Sequence, residues 1–276
     1  MTTLIPKDEF RRVAGCSDAL PGPPARPVDN GEGGAGFGAS AEFCATFCGA
    51  SRDKGVSVVA DRVAGVEAGL FIAFEGGDGA GKSTQVRRLA AAFEAAGREV
   101  VVTRQPGGTP LGQALRDLVL HGDHMSARAE ALIFAADKAQ HVAAVIRPAL
   151  ERGAVVITDR YVDSSIAYQG AGRDLGVEEV RALQMWAVDS LRPGLTVIVD
   201  ISAEEGRRRR GAVHDRLESE GDAYHEAVRR NFLDLAAAEE WRYLVVDGTH
   251  DPDHVHEQIW ARLRLGQEGV PGERLA

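Results

Sequence analysis

"FIAFEGGDGAGKSTQVRRL", residues 71–89, decides the fold. An apolar run ending at Phe74 breaks into a turn carrying Gly76, Gly77, Gly79 and Gly81, and apolar residues then return at helical spacing. A buried strand, a glycine turn and a helix form the context in which Gly76-x-x-x-x-Gly81-Lys82-Ser83 has a physical meaning. Glycines let the backbone turn tightly, so that several N–H groups converge on phosphate oxygens. The positive end of the following helix faces the same anion. The loop therefore reads as an ATP cradle built from Gly76, Gly77, Asp78, Gly79, Ala80, Gly81, Lys82, Ser83 and Thr84. Lys82 is expected at the β and γ phosphates, and the Ser83 hydroxyl at a Mg²⁺ ion. Asp78 stands out, because an acid in the middle of the loop opposes an anion.

Outward from this loop, short β-branched runs alternate with helical segments. "GLFIAFE", "REVVVT", "AVVITD", "LTVIVDI" and "WRYLVVD" read as five strands. Between and after them, helices are expected over 82–97, closed by Gly97, over 111–120, over 126–153 with a bend near Pro148, over 177–191 and over 253–265. Ser126 is a plausible N-cap, and Ser202-x-x-Glu205 has the form of a capping box opening a further helix. This alternation predicts an α/β fold of the P-loop NTP hydrolase type: three layers, a five-stranded parallel sheet and helices on both faces. Catalytic loops then gather at the carboxyl ends of the strands.

Residues 1–69 differ. "ALPGPPARPVDNGEGGAGFGAS" has neither strand nor helix periodicity and too little apolar surface to offset the entropy of ordering it. The segment reads as a disordered Gly/Pro-rich extension, and 267–276 as a flexible tail. All three cysteines, Cys16, Cys44 and Cys48, lie in it; two free thiols fit the Cys44-x3-Cys48 pair better than half a metal site. No run approaches ~18 apolar residues, and the N-terminus has no signal-like apolar core, so a cytoplasmic chain away from membranes is expected. A net charge of −9 argues against a broad nucleic-acid footprint but leaves room for a small phosphorylated ligand.

Asp159 ends the "AVVITD" strand, where a second Mg²⁺-directed carboxylate is expected. No Asn-Lys-x-Asp tetrapeptide is present, which disfavours a guanine nucleotide. Three arginine-bearing loops follow strands or the helix after the fourth strand: "TRQPGGTPLG" (103–112), "DRYVDSSIAYQGAGR" (159–173) and "RRRRGAVHDRLE" (207–218). A simple ATPase needs fewer cations than this. The excess suits a second phosphate-bearing ligand, and hence a nucleotide kinase.

"EGGDGAGKST", "PGGTPLG", "IFAADKAQH", "DRYVDSSIAYQGAGR" and "RGAVHDRLE", in this order and spacing, resemble the thymidylate kinase family from about residue 70 to 265. The resemblance implies a nucleoside monophosphate kinase domain over 70–266 that moves the γ-phosphoryl of ATP to dTMP with Mg²⁺, within a homodimer. "AYQG" and a loop lacking a basic residue look like the bacterial subgroup, whose catalytic arginines lie in a lid. By the same resemblance, Asp78 faces the acceptor's 3′-hydroxyl, Phe134 stacks on thymine, and Arg104 and Arg160 bind the acceptor phosphate. Tyr168 crowds the sugar 2′ position, while Ser165 and Gln169 meet the base edge. The catalytic set implied is Lys82, Asp159, Arg160, Arg210 and Arg216, with Ser83 and Asp159 on the metal. On residue type alone, a core position on an apolar helix face ranks first for Phe134, Tyr168 also fits a core, and Arg207–Arg210 fit a solvated helix face. Two positions depart from the family. Lys138 stands where an arginine usually touches a thymine carbonyl, and Gln105 replaces the glutamate before "PGG". Rival readings are a kinase for another acceptor, an ATP-dependent switch and a nucleic-acid motor. The last conflicts with the acidic balance.

Overall fold

The computed structural model describes residues 69–210 and 216–267, with side chains described for all but Arg210 and 265–267. The expected extension and tail fall outside the described residues, apart from Gly69 and Gln267, and so does most of "RGAVHD".

β1, Leu70–Glu75, shows why the sheet is covered on both faces. Successive strand side chains point in opposite directions; Phe71 and Ala73 enter one apolar core, Ile72 and Phe74 the other. β3 (Val155–Asp159) and β4 (Leu195–Asp200) flank β1 and divide in the same way, Val156 and Ile198 to the first side, Ile157 and Val197 to the second. β2 (Val100–Arg104) and β5 (Tyr243–Asp247) form the edges. The order is β2-β3-β1-β4-β5 with every pairing parallel, as the sequence predicts.

α1 (Lys82–Ala95) and α9 (Pro252–Gln267) cover the second side through Leu89, Phe93, Val255 and Ile259. Gly97, at φ 78°, ends α1, with the Arg98 N–H donating to the Phe93 carbonyl at 3.0 Å. The first side is covered by α8 (Asp222–Ala238), which brings Phe232 and Leu235, and by the far end of a long helical run. That run comprises α3 (Ala127–His141), a π-helical turn at Val142–Ile146 and α4 (Arg147–Glu151). Ser126 caps it by accepting from the Ala129 N–H at 3.3 Å. The distortion expected at Pro148 takes the form of that wider turn. Proline has no N–H to donate and its ring crowds the carbonyl four residues back, which the extra residue per turn accommodates.

α2 (Pro110–His121) and α6 (Val177–Ala187) also agree with expectation, although α6 stops before 191, where Asp189 and Ser190 take left-handed conformations. α7 (Ala203–Arg210) begins at Ser202, whose hydroxyl accepts from the Glu205 N–H at 3.2 Å. Two elements differ from the reading of the sequence. "DRYVDSSIAYQGAGR" was expected as a loop; it is helical over α5 (Val162–Ser165) and a π-helical segment, Ile166–Gly172. Its Ser, Gly and Gln residues argue for a turn, but Ile166, Ala167 and Tyr168 are buried in the first core, and that burial overrides local preference. α8 was not expected at all, although Val228, Phe232 and Leu235 carry helical spacing.

Candidate active site

Register brings the site together. Arg104 of β2 and Phe74 of β1 both pair with Asp159 of β3, so three strands end at one level beneath the glycine loop. Gly76 opens that loop at φ 121°, and a Cβ there would lie 2.3 Å from the Val199 carbonyl oxygen. No other residue fits. Lys82 folds back over the loop, donating to the carbonyls of Gly76 at 3.0 Å and Gly77 at 2.7 Å. Burial lowers its pKa and Arg160 adds to the effect, while Asp78 and Asp159 oppose it. Thr84 lies in the first turn of α1, its N–H donating to the Gly81 carbonyl, and Ala80 is buried. Ser83 Oγ donates to Asp159 Oδ2 at 2.9 Å. A hydroxyl and one carboxylate fit the hard oxygen donors of Mg²⁺, which takes its other ligands from phosphates and water. Among the described residues no cluster of three or more His, Cys, Asp or Glu offers another metal site.

The acid in the loop does not face Lys82's phosphate side. Asp78 Oδ1 accepts from Arg160 at 2.6 Å, and Oδ2 accepts from the Tyr168 hydroxyl at 3.1 Å. Burial opposes the Asp78 charge, but Arg160 and Lys82 outweigh it and hold the carboxyl below its usual range. Arg160 has a left-handed backbone at φ 69°, pinned by its N–H donating to the Phe74 carbonyl at 2.8 Å. Such a conformation in a non-glycine residue persists only where the surroundings over-determine it. Its guanidinium also donates to Ser164 at 2.9 Å and Tyr168 at 3.1 Å and lies over the Tyr168 ring.

Beneath Arg160 sits Glu75, which the sequence reading passed over. It is fully buried at the end of β1, accepting from the Tyr161 N–H at 2.8 Å and from the Ser164 N–H at 3.1 Å and hydroxyl at 2.5 Å. Burial, with Asp163 adding to it, raises its pKa to about 7. An acid closing an apolar strand is the signal that also marked Asp159.

From Asp78 a cleft runs away from the loop, lined by Arg160, Tyr168, Ser165, Gln169, Lys138 and Phe134 among others. α3 supplies one wall by periodicity. Glu130, Phe134 and Lys138 lie four residues apart and so share a helix face. Phe134 packs with Val119, Leu120 and Leu217 at the far end. Lys138 is buried, its ammonium donating to Ser165 Oγ at 2.7 Å and to the Phe134 carbonyl at 3.4 Å. Burial pushes its pKa down to about 8. The next face of α3 holds the "PGG" loop. Asp137 accepts from the Gly107 N–H at 3.2 Å, and a Cβ on Gly108 would lie 2.4 Å from the His141 ring. Gln105 is buried here and lines the cleft.

The arginines divide. Arg160 joins loop and cleft. Arg104 is exposed on β2, donates to Gln113 at 3.3 Å and lies outside the cleft lining; Arg116 of α2, not singled out from the sequence, lines it instead and donates to the Pro106 carbonyl at 3.1 Å. Arg207 pairs with Asp222, Arg208 and Arg209 with Glu205 of their own helix. Arg210 ends α7, and its side chain lies outside the described residues. Arg216 precedes Leu217, which lines the cleft, and donates to Glu130 at 2.6 Å and the Val119 carbonyl at 2.8 Å.

Comparison with known proteins points to one family. The profile of the family described as thymidylate kinase matches residues 74–259. A thymidylate kinase of Bifidobacterium longum (strain NCC 2705) is 54% identical over 200 residues, 71% of this chain and 95% of the relative. One from Clavibacter sepedonicus is 54% identical over 201 residues, covering 71% and 95%. One from Deinococcus radiodurans is 48% identical over 198 residues, covering 71% and 96%. With the profile spanning well over half of its length and its glycine loop opening onto the cleft that runs from Asp78, the chain belongs to the thymidylate kinase family.

Proposed function

We propose that this protein transfers the γ-phosphoryl group of ATP to dTMP, giving ADP and dTDP for dTTP and DNA precursor synthesis. The observation that carries the reading is the Asp78–Arg160–Tyr168 cluster, which joins the ATP loop to a base-sized cleft. ATP phosphates lie on the glycine loop with Lys82 at the β and γ groups. The thymine ring stacks on Phe134, Lys138 and Ser165 meet its carbonyl edge, and Gln169 the neighbouring edge. Tyr168 faces the sugar and Asp78 its 3′-hydroxyl. A Mg²⁺ ion at Ser83 and Asp159 supplies charge neutralisation to the phosphates.

An oxygen of the acceptor phosphate attacks Pγ, and the bond from Pγ to the β,γ-bridging oxygen breaks, with its electron pair leaving on ADP. The acceptor is already an anion, so no general base is needed, and catalysis rests on alignment and charge stabilisation. Arg160 and Lys82 supply that stabilisation, with Arg210 from the lid; Arg104 and Arg116 lie on the acceptor-phosphate side. Arg216 belongs to the catalytic set only if it leaves Glu130, and the base end of the cleft is the role its contacts support.

A cytoplasmic location accords with the finding that no helix among the described residues is long and apolar enough to cross a membrane. A homodimer accords with Leu132 of α3 and Trp186 of α6, both exposed although large and apolar. The test is a panel of nucleoside monophosphates with ATP and Mg²⁺, read as ADP release. Fast turnover confined to dTMP and its close analogues is expected; slow ATP hydrolysis indifferent to dTMP would refute the assignment.

A further inference from the structure

Behind the base wall of the cleft lies a carboxylate that takes no direct part in the proposed contacts. Glu130 is buried on α3, one helical turn before Phe134 and two before Lys138. Two guanidiniums reach it: Arg216 at 2.6 Å, and Arg173 at 3.3 Å to one oxygen and 3.4 Å to the other. Its third partner is Gln169, whose Nε2 donates to Glu130 Oε1 at 2.8 Å. Arg173 is itself held by Glu220 and by the face of Tyr224, so the cluster has little freedom to rearrange.

A carboxylate flanked by cations only accepts hydrogen bonds. The Gln169 amide therefore turns its NH₂ toward Glu130, because a flip would set its carbonyl oxygen against the carboxylate. The carbonyl is the end left for the cleft that Gln169 lines. Ser165 stands four residues before Gln169 on the same helical run and accepts from the Lys138 ammonium, so that pair can present hydrogen-bond donors. The wall thus carries one acceptor beside a donor pair. Thymine and uracil match it, with an N3–H donor next to the O4 acceptor. Cytosine inverts both, with an N3 acceptor next to a 4-amino donor.

We infer that Glu130 is a positioning residue for base selection: it locks the Gln169 amide in the orientation that accepts the N3–H of a 4-keto pyrimidine and rejects a 4-amino one. The inference rests on the dTMP reading of the cleft. Glu130→Gln keeps the size of the side chain but can donate as well as accept, which frees the Gln169 amide to flip. In the full chain, the ratio of kcat/KM for dTMP over dCMP should fall at least tenfold, through a higher KM for dTMP. The dTMP over dUMP ratio should hold, because those bases share the edge being read. Glu130→Asp, which accepts only, should restore much of the discrimination. A merely structural role predicts instead that all three acceptors weaken together, and that result, or an unchanged dTMP over dCMP ratio, overturns the inference. Should Glu130→Gln fail to fold, Gln169→Met must lower the same ratio by a similar factor, and an unchanged ratio there is equally fatal. A wild-type chain that transfers nothing to dTMP would refute the proposed function, and this inference with it; a wild type selective for dTMP whose Glu130→Gln variant stays selective would refute only this inference.

Discussion

The two ends of the site are made differently. The donor end is backbone: a glycine loop whose path is set by positive φ angles and by a β-strand wall 2.3 Å from where a Cβ would be. Its side chains, Lys82 and Ser83, fall next to the loop in sequence. The acceptor end is built from side chains of segments far apart in the chain, each held by another. Lys138 is held against Ser165, Gln169 against Glu130, and Arg160 against Asp78 and Tyr168. A backbone cradle serves any nucleoside triphosphate, because every such ligand offers the same phosphates. A side-chain pocket can be specific, because each locked group presents one chemical face.

That contrast can be broken by substitution. The largest effect belongs to the junction. Arg160→Met removes the cation that joins both ends, and turnover should drop by about 10³-fold or more with every acceptor, as for other arginines on a transferring phosphoryl group. A variant that kept its kcat and lost only dTMP affinity would move Arg160 wholly to the acceptor side. Next comes Phe134→Ala. Loss of base stacking costs about 1–3 kcal/mol, so the KM for dTMP should rise roughly 5- to 150-fold with the KM for ATP unmoved. Initial-rate measurements at fixed saturating ATP would check this.

A smaller effect is set by pH. Burial lowers the Lys138 pKa from 10.5 to about 8, so the ammonium is present below that pH and lost above it. The kcat/KM for dTMP should therefore decline as pH rises through about 8, and Lys138→Arg, which stays charged, should move that limb to higher pH. An identical profile in the variant would assign the limb to another group. The smallest effect should be on stability. Gly108→Ala puts a Cβ into the His141 ring, and overpacking of this kind costs about 1–3 kcal/mol, or a Tm loss of several degrees. The donor loop should bind ATP unchanged in that variant.

Much of the fold was legible. Five strands, their parallel pairing and the caps at Ser126 and Ser202 follow from short continuous β-branched runs and from capping chemistry, both local. The helical character of 162–172 was not, because its polar and small residues read as a turn until Phe232 and its neighbours bury them. In the site, the ATP loop was legible from a motif, and the cleft residues only through family resemblance. Glu130 had a usable signal, being one turn from Phe134 on the same helix face. Arg116 had none, since an arginine in the middle of an amphipathic helix is ordinarily solvated.

The sequence by itself determined the cradle, the sheet and the order of the elements, because backbone conformation and apolar periodicity depend on neighbours within one or two turns. Only the tertiary structure decided which acid meets which base. Arg160 finds Asp78 across 82 residues, and Arg216 finds Glu130 across 86. Pairings at such separations leave no periodic trace, and they exist only once the strands are in register and burial has stripped water from the charges, leaving each to be satisfied by whatever the fold has set beside it.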